Sequence, residues 1–423
     1  MPVKTRAAIV LVALLILPGF ATTVSASSVV ELENPIWLAD ADLGLEVVAA
    51  GGSSTQKILI AGADGYARLL DGENPREQIE LATLTEETLR AISWHPRGNT
   101  ALLAGDGGTL LRYAAEDYSV TTVSGSGQLN GVDLTSVSWN AAGTDAYIGG
   151  VDGWIWAYHE GEDGIGVFTL LEDTKSNSIS GIACHAEVNV CVAATSGDGV
   201  AIIDTRDGHT LHWIGGLDNR WNGVNCGEPN WYRCIAIGEH QNIGRIGIEI
   251  DDVDRSTILI QRIPSITGEF THVNTRVSSE ALITLAPFEV MAWDIDDAEA
   301  YEWVDHTTVV ESSSALAGER LVGSWGTVDN PDIGFLVTSY GAIIGFHPPV
   351  ESNPWASDTV TYILGGLVII AVPGVAFGLI FMNSETLQRK YYARRAAKRE
   401  AADAARVEAE KAVKKSERAA KKS

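Results

Sequence analysis

The chain of 423 residues carries 30 Lys/Arg against 55 Asp/Glu, a formal charge of −25. That length exceeds one minimal domain, and 45% apolar residues with twelve Trp exclude a disordered body. Residues 383–423 hold 13 bases and 6 acids, and residues 1–26 hold only Lys4 and Arg6, so residues 27–382 keep 15 bases against 49 acids, a net of −34. So acidic a body is excluded as a nucleic-acid binder, because phosphate contacts need clustered Lys/Arg.

Met1–Ala26 opens with Lys4 and Arg6, continues as an apolar run from Ala7 to Leu17, breaks at Pro18-Gly19 and ends on the small residues Val24-Ser25-Ala26. This is the pattern of a secretory signal peptide, 1–26.

The body, 27–347, repeats itself. Leu89-RAISWHPRGNTALLAGDGGTLLRY-Ala114 lines up with Leu134-TSVSWNAAGTDAYIGGVDGWIWAY-His159 and with Ile179-SGIACHAEVNVCVAATSGDGVAIID-Thr205. Trp94, Trp139 and Cys184 are successive anchors, and Cys226 continues the series. Looser copies begin at Leu45, Thr271 and Arg320, which makes seven units. The second unit reads as strands Leu89–Trp94, Thr100–Leu103, Thr109–Tyr113 and Tyr118–Val123, with glycines between them. Four short antiparallel strands repeated every 40–50 residues are the mark of an all-β, seven-bladed β-propeller. The seventh unit ends after its third strand, so Val29–Leu38 is expected to supply the missing fourth.

Ser93-Trp94-His95-Pro96-Arg97-Gly98, the turn Val151-Asp152-Gly153 and the dipeptide Trp293-Asp294 carry a resemblance. Over residues 29–347 the chain resembles the tryptophan–aspartate (WD) repeat propellers, although the Gly-His dipeptide of that family is missing. The resemblance implies the fold and leaves the ligand open.

The four cysteines fall in two adjacent units. Cys184 ends a first strand and Cys191 enters the second, and Cys226 and Cys234 do the same one unit on. Cross-strand partners lie about 4.5–5.5 Å apart between Cβ atoms, and neighbouring sheets about 10 Å apart, so disulfides Cys184–Cys191 and Cys226–Cys234 are expected. No metal site is expected, Asp251, Asp252 and Asp254 being the weak candidates for Ca²⁺. No catalytic residue and no cofactor are predicted, since H-E-x-x-H, G-x-S-x-G and P-loop strings are missing. The candidate binding face gathers Arg220 and Trp221 between the fourth and fifth units with Asp152 and Trp154 of the third. Trp221 either meets a partner there or packs between blades.

Residues 348–359 read as a linker. Residues 360–382 are 23 uncharged residues, enough for a transmembrane helix, and Arg389, Lys390, Arg394, Arg395, Lys398 and Arg399 follow. The positive-inside rule places the tail, 383–423, in the cytoplasm and the propeller outside. The tail is a basic segment of helical propensity, expected to touch anionic lipid headgroups. The sequence thus describes a single-pass plasma-membrane protein with an extracytoplasmic propeller. Its expected function is a scaffold for protein partners or a ligand, including assembly of membrane or cell-surface complexes. The rival reading is a propeller enzyme of hydrolase, lyase or quinoprotein type using the central channel.

Overall fold

The computed structural model describes residues 29–349, apart from 162–163, 207, 228–232, 265, 278 and 313–314, together with residues 380–420. The leader expected over 1–26 lies outside the described residues, as does nearly all of the span expected over 360–382. The chain divides into two units, Met1–Pro349 and Val350–Ser423.

The first unit is a propeller of seven antiparallel sheets, six of them built from consecutive strands. In blade 2 the strands are Leu89–Trp94, Thr100–Gly105, Leu110–Ala114 and Ser119–Thr122, within two residues of the sequence expectation at every boundary. The inner strands of the seven blades are Leu45–Gly51, Leu89–Trp94, Leu134–Trp139, Ile179–Cys184, Trp221–Cys226, Glu269–Val277 and Leu321–Gly326. Each packs on the next, and the last packs on the first, so the ring closes.

The closing device is the N-terminal segment. Glu31 and Leu32 pair with His347 and Phe346, and Ile36 and Trp37 pair with Ile343 and Ala342. The fourth strand of blade 7 is therefore drawn from the start of the chain, in two pieces. Pro35 lies between them, and proline cannot donate to a ladder. Around it Glu33 N still donates to Gly345 O at 2.8 Å, and Leu38 N to Gly341 O at 3.0 Å.

The core lies between blades. Each of seven clusters of buried side chains joins two adjacent sheets. Blades 2 and 3 share Leu102, Leu110, Leu134, Ile148 and Trp156, whereas blades 7 and 1 share Trp325, Val337, Leu45 and Ile60. A blade is thus apolar on both faces, and its second and third strands read as almost continuous Val, Ile, Leu and Ala.

One irregularity recurs in every blade. The register of the inner strand shifts after its first paired apolar residue, at Leu45, Leu89, Leu134, Ile179, Trp221, Phe270 and Leu321. Such a bulge leaves one residue unpaired and bends the strand. The seven bulged residues stand on one end of the ring, here termed the upper face: Glu46, Arg90, Thr135, Ser180, Asn222, Thr271 and Val322. Antiparallel order puts the second-to-third strand turns and the blade-to-blade connections on that face as well. The first-to-second strand turns are on the lower face.

In the second unit, helix α2 (Glu385–Ala420) fits the helical reading of the tail; helix α1 (His306–Ser312) belongs to the propeller. Ser384 caps α2, its Oγ accepting from Leu387 N at 3.4 Å. Among the described residues no helix is long and apolar enough to cross a membrane.

Candidate functional site

The expected disulfides form. Cys184 stands opposite Cys191 and Cys226 opposite Cys234 in their hairpins, and both pairs are bonded. They sit at the lower ends of neighbouring inner strands, with Cys191 and Cys234 fully buried.

The expected binding residues separate. Trp221 is 1% exposed, and its Nε1 donates to Gly216 O at 3.0 Å. It opens the inner strand of blade 5 at the register position that Leu89 and Leu134 hold in blades 2 and 3, so it is core and presents nothing to a partner. Arg220 beside it is exposed, 3.6 Å from Glu239. Asp152 shapes the second-to-third strand turn of blade 3, its Oδ1 accepting from Trp154 N at 3.1 Å. Gly153 in that turn has φ +82°, and a Cβ there would press on the carbonyl of Lys175. Trp154 stays 38% exposed and meets Trp156 edge-on at 5.8 Å. Asp152 and Trp154 share one turn of blade 3, and Arg220 lies on the connection from blade 4 to blade 5 of the same upper face.

The carboxylates singled out for Ca²⁺ do not converge. Asp254 accepts from His212 Nδ1 at 2.6 Å. Among the described residues no three His, Cys, Asp or Glu side chains come together as a metal site.

The upper face has features that the sequence did not announce. Leu84, on the connection from blade 1 to blade 2, is 94% exposed at φ 57°. A branched apolar side chain rarely accepts that left-handed conformation, which costs about 1–2 kcal/mol. Its neighbours hold it there. Thr83 is buried and donates from Oγ1 to Gly65 O at 2.7 Å, and Thr85 Oγ1 accepts from Glu87 N at 3.1 Å. Val151, Trp154 and Leu217 are further exposed apolar side chains of this face.

The cations of the upper face are engaged. Arg90 forks onto Asp106 at 2.5 and 2.8 Å, and Arg320 bonds Glu46 at 2.8 Å. Lys175 lies 3.8 Å over the ring of Trp213. The carboxylates of Asp106, Glu46 and Asp133 around Arg90 hold its pKa above the ordinary arginine value, against the effect of burial. Asp64, Glu86 and Asp218 add charge on the same connections and turns. The face is acidic with apolar points.

The central channel encloses about 560 Å³ between the inner strands. Its wall includes Asn222, Asn225, Asn274 and the half-buried His272, whose pKa burial pushes down to about 4. That imidazole is neutral at ordinary pH.

No family model matches the chain, and no curated protein matches it. Solved structures do match. The β-propeller domain of Cps50 (Swd1) from Myceliophteria thermophila is similar to it at TM-score 0.57 and 12% identity, over 74% of this chain and 98% of that chain. At such identity the likeness is one of fold, a β-propeller, and the seven sheets of this chain make it seven-bladed.

Proposed function

We propose that this protein is a non-enzymatic scaffold whose upper propeller face holds a protein partner, with the propeller outside the cytoplasm and residues 360–382 as its membrane anchor. The observation that carries the scaffold reading is Leu84, an apolar side chain held almost wholly in solvent by bonded neighbours at a conformational cost. Strain maintained by surrounding structure points to use. Exposed apolar points within a polar surround are the usual make-up of a docking face. The extracytoplasmic placement is supported by the leader-like 1–26, the uncharged 360–382 and two disulfides, which persist in oxidising compartments.

Capture of the full chain from native membranes, followed by mass spectrometry, tests the scaffold. A second protein recovered in stoichiometric amount is expected, and a clean single species would overturn it. Protease added to intact cells tests the placement, since the propeller should be reached and α2 protected.

A further inference from the structure

We propose that the outer edge of blade 5 binds the outer edge of blade 3 of a second copy, strand to strand. The outermost strand of blade 5 is Thr257–Arg262, and that of blade 3 is Gly166–Leu170. Each has a partner strand on one side only. Glutamates guard the corresponding strands of blades 1, 6 and 7, namely Glu80, Glu299 with Glu302, and Glu31. The outermost strands of blades 3 and 5 hold no carboxylate.

Both edges are open. Ile263 N donates inward to Gln241 O at 3.0 Å, and Leu171 N donates inward to Ile155 O at 2.9 Å. Bonding alternates along an antiparallel pair. Ile258, Ile260 and Arg262, and likewise Phe168 and Leu170, therefore turn their backbone N–H and C=O groups away from the sheet. Apolar side chains accompany them: Leu259 is 64% and Ile260 44% exposed, and Val167 51% and Leu170 44%. A single exposed leucine is ordinary, but a row of apolar side chains along an unpaired strand is a template that another strand extends.

Charge names the occupant. Arg262 ends the blade 5 strand, exposed and without an ion pair among the described residues, although residues 27–382 hold 49 acids against 15 bases. The blade 3 strand runs into Glu172 and Asp173, both exposed. A second copy thus carries the complement of this edge on its own rim. The fourth strands of blades 3 and 5 run from the lower to the upper face, so two rings standing the same way up offer these edges in parallel. With Leu259 beside Leu170, Arg262 comes beside Asp173, because each charge follows its leucine by three residues. Opposite charges on neighbouring strands contribute about 0.2–1 kcal/mol. The contact joins different blades, so it is heterologous, and a pair of copies keeps one free edge of each kind. The upper face stays free for the partner proposed above.

The test uses two full-length variants in detergent, Leu259→Cys and Leu170→Cys, distinguished by tags of different mass. Both positions are exposed, and the natural cysteines are all bonded, so each variant offers one free thiol. The variants are mixed and treated with a short bismaleimide. An adduct joining the two different variants is expected in at least fivefold excess over either same-variant adduct. Arg262→Glu added to the first variant should cut that yield at least threefold, and Asp173→Lys added to the second should restore it. No mixed adduct, or same-variant adducts in equal amount, would overturn the proposal. So would a mixed yield that Arg262→Glu leaves unchanged or that Asp173→Lys does not restore.

Discussion

The hydroxyl of Ser93 accepts the backbone N–H of Trp139 at 3.0 Å, and Ser138 repeats the bond to Cys184 at 3.1 Å. The serine of one blade thus ties down the anchor residue of the next blade's inner strand. An inner strand has a neighbour in its own sheet on one side only, so its free edge needs such partners. Thr135 to Ile179 O, Asn222 to Phe270 O and Asn274 to Ser324 O serve the same end. Ser93→Ala leaves the Trp139 N–H without its acceptor, and we predict a loss of about 1–3 kcal/mol in urea denaturation. Adding Ser138→Ala, whose bond is separate, should roughly double the loss.

Ring closure by the N-terminus gives a second prediction. Val30 and Leu38 are 3% and 9% exposed, in the clusters joining blades 6 and 7 and blades 7 and 1. Deleting residues 29–38 removes both and bares the edge of Ala342–His347, an invitation to pair with another chain. Each large apolar loss costs about 2–5 kcal/mol. The deletion should elute as aggregate and be digested rapidly by protease, whereas a protease-resistant monomer would contradict the closure.

The hairpin disulfides each close a short loop, with sequence separations of 7 and 8. The chain-entropy relation gives about 2–3 kcal/mol for loops of this length. Replacing Cys226 and Cys234 together by Ala should lower the unfolding free energy in urea by that amount. Mass spectrometry after alkylation without reductant should find no free thiol in the natural chain.

His272 makes stability depend on pH. Burial pushes its folded pKa down to about 4, against about 6.5 in an unfolded chain, so folding favours the neutral ring. The contribution is full above pH 6.5 and is lost as pH falls from there towards 4. His272→Gln should flatten the denaturation midpoint across that window relative to the natural chain.

Leu84 separates stability from use. Leu84→Asn places a residue tolerant of positive φ on the same turn, and the fold should be unchanged or more stable by up to about 1 kcal/mol. Thermal denaturation reads the stability, and capture from membranes should lose the partner.

Much of the fold was legible because the repeat writes itself in residue types that packing demands. Leu89, Leu134 and Ile179 begin inner strands, and Trp94, Trp139 and Cys184 end them. The same alignment held the signal that Trp221 is core, since it occupies the Leu89 position. The last blade departs from the alignment in another way. Trp325 pairs with Phe335 one step before the Trp94 position, and its Nε1 crosses to Gly72 O of blade 1 at 2.9 Å. Leu84 left no trace in the sequence, because its exposure depends on a backbone angle.

The measurement that bears most directly on the scaffold is photo-crosslinking in native membranes, with the reactive amino acid placed at Leu84 on the upper face or at Val328, 69% exposed on the lower face. A single discrete adduct from position 84 and none from position 328 is the result predicted. No adduct from position 84, or the same adducts from both, would contradict the assignment of the upper face as the site where a partner docks.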